Sequence, residues 1–191
     1  MVIGQRANYD IITSQGRLTQ CRRDDPSCSP SLAARLAVLK PLLDQISLVV
    51  PTTLDALDQV LAWFEALRQP TMQQKDWLQC QLALAEAFTN AVRHAHRHRP
   101  AETPIALEAT LYERSLELRI WDCGPPFDLA GYLQENEVAA QNTQASGGRG
   151  LAILAQIADH LSYFRTDDDR NCLLIVRKYE PSSPRTTREE A

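Results

Sequence analysis

The sequence lacks the features that mark several large classes of protein. Its five cysteines, among 191 residues, are scattered without a C-x-x-C pair, which argues against a disulfide framework and a zinc site. No apolar run approaches the roughly 20 residues that span a bilayer, and the first residues lack the apolar core of a secretory signal. A net charge of -4 without a basic stripe argues against nucleic acid. We therefore expect a cytoplasmic protein with no membrane and no direct nucleic-acid partner.

Two common nucleotide-binding motifs are missing as well. The chain contains neither G-x-x-x-x-G-K-[ST] nor G-x-G-x-x-G, which excludes a P-loop and a dinucleotide fingerprint. What is present is an ordinary globular composition, 44% hydrophobic and 23% charged. The length suits one domain with a sizeable core and appendages.

Hydrophobic periodicity divides the chain into three parts. Residues 1–45 are expected to be an N-terminal extension, partly disordered, with a short strand at Tyr9–Thr13 and helical spacing at Ser31–Asp44. Residues 46–179 alternate strand and helix patterns. Residues 180–191 form a Ser/Pro/Thr/Arg tail that is expected to be disordered.

The central part predicts strand, helix, helix, strand, strand, lid, helix, strand, strand. In chain order these are Ile46–Val50, Leu54–Arg68, Gln73–His96, Ile105–Tyr112, Leu116–Trp121, a polar connection over Leu129–Ser146, a helix after Gly150, Leu161–Arg165 and Cys172–Tyr179. A connection of that length is usually a lid or a mobile loop. The predicted fold class is α+β: a two-layer α/β sandwich with a mixed, mostly antiparallel sheet and helices on one face.

The stretch Leu82–His96, LALAEAFTNAVRHAH, carries the first candidate site. At 100° per residue its apolar residues share one side of a helix, and Glu86, Asn90 and Arg93 stack on the other. An amide oxygen is a hard ligand for Mg²⁺, and a carboxylate one turn away can take a proton from a hydroxyl or a water. The alternative is the solvated face of an amphipathic helix.

Two further motifs are compatible with a nucleotide. Asp122-x-Gly124 follows a strand, so its carboxylate can accept a hydrogen bond from an exocyclic amine such as that of adenine, although a plain turn has the same pattern. GGRG at 147–150 opens a helix, where free N–H groups and the helix dipole favour a phosphate; a flexible hinge is the alternative. The order and spacing of the three motifs are more specific than any one of them.

Three histidines near the end of the first motif could indicate a metal. They are His94, His96 and His98, and this spacing on a helix points His96 away from the other two. A metal site is therefore disfavoured. His94 is expected to take part in the packing of the helix.

These motifs resemble those of a known family. EAFTNAVRHAH resembles the N-box of GHKL-type ATPases, DCGPPFD their first glycine box and GGRGLAIL their second. The details resemble the anti-sigma factor serine-protein kinases of bacterial partner-switching systems over roughly residues 46–179. The resemblance implies a Bergerat-type ATP-binding fold with ATP and Mg²⁺ as cofactors. Pro126 stands where the superfamily has a second glycine, which favours this branch over sensor histidine kinases.

The resemblance also implies a role for each matching residue. Glu86 matches the general base toward the substrate hydroxyl, Asn90 the Mg²⁺ ligand, and Asp122 the adenine-reading aspartate. The implied cofactor-binding set is Asn90, Arg93, His94, Asp122, Gly124, Gly148, Arg149, Gly150 and Leu151, with Glu86 as the catalytic residue.

The implied function is an ATP-binding anti-sigma regulatory factor and serine/threonine-protein kinase. It would phosphorylate a STAS-type antagonist protein and bind a sigma factor or another client, and relatives imply a homodimer. The alternatives are a non-catalytic nucleotide-dependent partner-binding module, a stand-alone ATPase and the catalytic lobe of a histidine kinase. The last is disfavoured because residues 1–45 contain no histidine and are too short for two long helices.

Overall fold

The computed structural model describes residues 8–13, 18–22, 41–140 and 149–182. The strands are β1 (Asn8–Thr13), β2 (Leu18–Arg22), β3 (Leu42–Pro51), β4 (Pro104–Tyr112), β5 (Ser115–Asp122), β6 (His160–Arg165) and β7 (Asn171–Lys178). The α-helices are α1 (Leu57–Glu65), α2 (Gln74–Asn90), α3 (Leu129–Ala140) and α4 (Arg149–Ile157). A 3₁₀ turn at Leu54–Ala56 precedes α1, and a π-helical turn at Ala91–Ala95 continues α2. None of the helices in the described ranges is long and apolar enough to cross a membrane.

The strands form one seven-stranded sheet in the order β2-β1-β6-β7-β5-β4-β3. Each pairing between described strands is antiparallel. The predicted α+β class is confirmed, and over these ranges the sheet is antiparallel rather than mixed. The ends of β5 and β7 meet at its centre, beside the helix that carries the first motif.

The apolar face of the sheet supports that helix. Leu116, Leu118 and Ile120 alternate along β5, are almost fully buried and belong to one core with residues of α2. Glu117 and Arg119 point the other way and form an ion pair at 2.9 Å. This is the alternation expected of a strand with one buried face. Because the core residues of α2 face the sheet, its polar side is left for the site.

The packing between α1 and α2 is aromatic. The rings of Phe64 and Trp77 stack with their centroids 4.5 Å apart, and both residues are fully buried. The indole N–H of Trp77 donates to Glu65 Oε2 at 3.1 Å, so burial leaves no polar atom of that ring unpaired. This contact fixes α2 near its first turn.

The strand before α1 begins earlier than predicted. β3 spans Leu42–Pro51 rather than Ile46–Val50, so Leu42–Asp44 are extended and not the end of a helix. Hydrogen bonds to β4 along the whole of β3 outweigh the helical spacing of these residues. Pro51 is tolerated because β3 lies at the edge of the sheet that the described strands form. Residues 31–40 of the predicted helix lie outside the described residues.

The N-terminal part contributes two strands. β1 confirms the short strand predicted at Tyr9–Thr13, with one more residue at its start. β2 was not predicted, because LTQCR is too polar to signal a strand by itself. Its hydrogen bonds to β1, at the edge of the sheet, make it one.

The polar connection predicted over Leu129–Ser146 is helical in its first part. α3 occupies Leu129–Ala140, and residues 141–148 lie outside the described ranges. Asp128 caps the helix, since its Oδ1 accepts the backbone N–H of Gly131 at 2.9 Å. Leu129 is buried at the first turn and anchors α3 to the core. Asp128 and Leu129 thus stabilise α3, although it lacks the apolar stripe from which the other helices were predicted.

Candidate functional site

A cleft of about 610 Å³ opens between α2, the end of β5, α3 and α4. Its volume lies within the range of about 300–1,000 Å³ that small-molecule sites occupy. The predicted site residues that line it are Glu86, Asn90, Arg93, His94, Asp122, Gly150 and Leu151. The structure therefore brings residues of all three motifs to one cavity, although they are separated by more than 60 positions in the sequence.

The other three predicted residues are not among the lining residues that the structure describes. Gly124 lies behind the cleft wall, where a Cβ would meet the carbonyl oxygen of Ala95 at 2.7 Å, so glycine allows the turn after β5 to approach the end of α2. Gly148 lies outside the described residues. Arg149 is the first residue of α4, and its side chain is outside the described part as well.

At one end of the cleft, the start of α4 meets the polar side of α2. A Cβ on Gly150 would lie 2.6 Å from Glu86 Oε2 and 3.4 Å from Asn90 Oδ1. The Nδ2 of Asn90 is buried and has no hydrogen-bond partner among the described residues. An unpaired buried amide costs about 1–3 kcal/mol, which a polar ligand can relieve. This corner therefore fits a phosphate and its cation.

At the other end, the carboxylate of Asp122 is buried and held in place. Its Oδ1 accepts hydrogen bonds from the backbone N–H of Gly124 and from Asn171 Nδ2, each at 2.8 Å. Burial and the neighbouring Asp122 charge raise the pKa of Tyr163, whose side chain hydrogen-bonds to Asp122. The phenol therefore stays protonated and acts as a donor. Asp122 is a fixed acceptor on the cleft wall.

Aromatic and proline side chains form the wall beside Asp122. The ring of Phe127 meets Tyr163 edge-on, with centroids 6.0 Å apart, and lies 5.5 Å from the ring of Tyr132. Pro126 and Leu129 extend this surface. Such a surface suits a flat heteroaromatic ring. The prediction missed Tyr163 and Tyr132; only Phe127 was signalled, as part of DCGPPFD.

His94 and His96 lie in different surroundings, as their spacing on the helix predicted. His94 is exposed at the cleft, so the prediction that it packs within the helix is wrong: the π-helical turn directs it outward. His96 is 2% exposed, and its Nε2 accepts the backbone N–H of Cys123 at 2.7 Å. In the part of the chain that the structure describes, no group of three or more His, Cys, Asp or Glu residues could hold a metal ion.

Buried His96 and half-buried His160 predict how stability depends on pH. Burial lowers the pKa of His96, against the opposing effect of Asp122 and together with Arg99; burial also lowers the pKa of His160, which Glu117 opposes. The unfolded chain then binds protons below about pH 6.5 while the folded protein does not. The free energy of unfolding should therefore fall as the pH drops from about 6.5 toward the folded-state pKa values.

This dependence can be measured by urea unfolding at a series of pH values between about 7.5 and 5. His96→Gln and His160→Gln should each make the decline shallower, since each removes one titrating group. The exposed His98 serves as the control, and His98→Gln should leave the slope unchanged. An unaltered slope in both His96→Gln and His160→Gln would contradict the prediction.

An antiparallel sheet with helices packed on it, and a polar cleft where the helices end, defines an α+β domain with a cavity of the size that small molecules occupy. Within this class the chain belongs to the family of the histidine kinase-like ATPase domain, which matches residues 50–177. The predicted resemblance to the GHKL ATPases is thereby confirmed. Membership implies that the domain binds ATP.

Curated relatives carry the name serine-protein kinase RsbW. The protein of that name from Listeria monocytogenes serotype 4a is 30% identical over 102 residues, which is 51% of this chain and 62% of the relative. The protein from Listeria innocua serovar 6a gives the same figures. The chain thus spans about three fifths of the length of the curated relatives it matches. At this coverage the comparison supports the ATPase family.

Proposed function

We propose that the protein is an anti-sigma regulatory factor and a serine/threonine-protein kinase that uses Mg-ATP. It transfers the γ-phosphoryl group to a serine or threonine hydroxyl of a STAS-type antagonist protein in a partner-switching pathway. The kinase domain in this proposal is residues 46–179, with 1–45 as an extension and 180–191 as a tail. We place the protein in the cytoplasm.

The observation that carries the proposal is the corner shared by Glu86, Asn90 and Gly150. A Cβ on Gly150, in the first turn of α4, would lie 2.6 Å from the carboxylate of Glu86 and 3.4 Å from the amide of Asn90. The Nδ2 of that amide is buried and has no partner among the described residues. The glycine leaves room for an anion at the N-terminus of α4, where free N–H groups favour phosphate. The carboxylate of Glu86 would take a proton from a substrate hydroxyl that enters this corner.

Each residue then has a task. The amide oxygen of Asn90 would hold Mg²⁺, which when bound neutralises phosphate charge. Asp122 would accept a hydrogen bond from the exocyclic amine of adenine. Glu86 would take the proton of the attacking hydroxyl. Arg93 and His94, exposed at the cleft, would contact phosphates, as would Gly148 and Arg149, while Leu151 and Gly124 shape the pocket. Catalysis of this kind is mostly positioning and charge stabilisation.

The proposed protein partners rest on the family resemblance, and the relatives' printed name supports only the serine-protein kinase activity. We propose a STAS-type antagonist as the phosphorylation substrate, a sigma factor or another client as the second partner, and a homodimer as the working form. The exposed apolar residues of the described surface include Leu78 and Leu82, one turn apart on α2 and away from the cleft. A partner could therefore bind this helix without closing the cleft.

The test uses the full chain with Mg-ATP and the STAS-domain proteins of the source organism, added one at a time. Phosphoserine or phosphothreonine on one of them, detected by mass spectrometry, would support the kinase. Calorimetry with ATP measures binding separately. Phosphate release without any partner would favour a stand-alone ATPase. ATP-dependent partner exchange without phosphoprotein would favour the non-catalytic binding module, and no ATP binding would end the proposal.

A further inference from the structure

His96 occupies a position that the nucleotide-site motifs do not explain. It is 2% exposed and lies directly after the π-helical turn that ends α2, six residues beyond Asn90. It does not line the cleft. A fully buried polar ring needs hydrogen-bond partners, and both nitrogens of this ring have one.

These hydrogen bonds show which nitrogen of the His96 ring carries the proton. Nε2 accepts from the backbone N–H of Cys123, so it carries a lone pair and the proton is on Nδ1. Nδ1 lies 2.7 Å from the hydroxyl oxygen of Thr52 and donates to it. The hydroxyl of Thr52 in turn donates to the carbonyl oxygen of Thr103 at 2.6 Å, a group that can only accept. The network is satisfied by the neutral imidazole and by one tautomer of it.

The backbone N–H and the backbone carbonyl of Cys123 are both held by the segment that follows α2. His96 accepts its N–H, and Arg99 Nη2 donates to its carbonyl oxygen at 2.6 Å. Gly124 packs on the backbone of Ala95, where a Cβ would come within 3 Å of three atoms. The end of α2 and the turn after β5 therefore form one rigid contact.

That turn also determines where Asp122 stands. The N–H of Gly124 donates to Asp122 Oδ1, so a shift of the Cys123–Gly124 backbone would move or release the carboxylate. Asn171 holds the same oxygen and the carbonyl of Gly124 from β7. β7 fixes the turn relative to the sheet, and His96 fixes it relative to the helix that carries Glu86 and Asn90.

We propose that His96 is a positioning residue for recognition of the base. Its neutral ring holds the Cys123 peptide so that the carboxylate of Asp122 stands at the right distance from the corner of Glu86, Asn90 and Gly150. The hydrogen bond from the Cys123 N–H to His96 is then one of the contacts that set the spacing between the base-reading and phosphate-binding ends of the cleft. The inference rests on the proposed function, because it assumes that Asp122 reads adenine.

The proposal predicts a selective effect on affinity. With Phe in place of His96, the N–H of Cys123 has no acceptor and the turn relaxes. Affinity for ATP should fall by about tenfold, because a displaced Asp122 carboxylate makes a weaker hydrogen bond to the exocyclic amine of adenine. Affinity for inosine triphosphate, which lacks the exocyclic amine, should change much less. The ratio of the two affinities therefore falls, whereas a general loss of structure would lower both equally.

The experiment compares His96→Phe with His96→Gln and with His98→Phe. A glutamine carbonyl can accept the Cys123 N–H, so His96→Gln should restore the ATP preference. His98 is exposed, and His98→Phe is the matched control for adding a phenyl ring to the same segment. Calorimetry with ATP and with inosine triphosphate gives the affinities, and thermal unfolding shows that each variant is folded. If His96→Phe does not fold, Thr52→Val should lower the same ratio, since it removes the acceptor that fixes the tautomer.

The outcomes separate this inference from the proposed function. Wild-type protein that binds no ATP, or binds both nucleotides equally, overturns the proposed role of the cleft or of Asp122. Wild-type protein that prefers ATP while His96→Phe keeps the same preference overturns the inference alone. An equal loss of both affinities in His96→Phe, without rescue by His96→Gln, also overturns it, because the residue would then serve only the fold.

Discussion

Replacing Glu86 with glutamine should lower phosphoryl transfer to the antagonist protein by about 10²–10⁴-fold without lowering the affinity for Mg-ATP. Glutamine has the size and shape of glutamate, so the packing against Gly150 persists, but it cannot take the proton of the attacking hydroxyl. The loss should appear in the rate of the chemical step, since the residue is assigned no part in binding the nucleotide.

Single-turnover transfer from labelled ATP measures that step, and calorimetry measures the affinity. Glu102→Gln is the matched control, because Glu102 is exposed and remote from the cleft lining, and it should behave as the wild type. If Glu86→Gln transfers phosphate at the wild-type rate, Glu86 is not the base. If neither protein transfers phosphate but both exchange partners with ATP, the non-catalytic module is the better description.

The parts of the fold that could be predicted from the sequence are those whose pattern is local. β4 and β5 alternate apolar and polar residues, so their faces and their hairpin follow from the sequence. β2 and α3 lack such a pattern. β2 exists because β1 offers it hydrogen bonds, and α3 because Asp128 caps it and Leu129 is buried. The pairing of β2 and the burial of Leu129 are apparent only in the folded sheet and core, and an aspartate cap such as Asp128 is also common in turns, so neither element has a clear local signal.

The same distinction applies to the cleft. Glu86, Asn90 and Asp122 belong to compact motifs whose chemistry can be read within a few residues. Asn171 holds Asp122 from 49 positions away, and His96 holds Cys123 from 27 positions away. Asn171 belongs to no motif, and His96, although it is the last residue of EAFTNAVRHAH, has no positioning role that the motif signals. The sequence thus indicates which groups act on a ligand, whereas the groups that position them emerge only when the strands are paired.

Replacing Asp122 with asparagine should weaken ATP binding by about 10- to 100-fold and reduce the discrimination between ATP and inosine triphosphate. The amide oxygen can still accept from Gly124 and Asn171, so the turn is retained. The second carboxylate oxygen becomes an NH₂ group, which repels the amine of adenine but can donate to the O6 atom of hypoxanthine. Hydrogen bonds to charged groups contribute about 1.5–3 kcal/mol, which sets the expected loss.

Calorimetric titration of both nucleotides measures this change, and Asp58→Asn, on the exposed surface of α1, controls for the loss of one negative charge. The control matters because each lost carboxylate makes the protein less repulsive to a polyphosphate and so raises affinity for both nucleotides alike. Only a change in their ratio reports on the base. An unchanged ratio in Asp122→Asn would mean that this carboxylate supports the turn without contacting the ligand. Base recognition would then have to come from the apolar wall of Phe127 and Tyr163. Such a wall distinguishes purines poorly, because every base has an aromatic face.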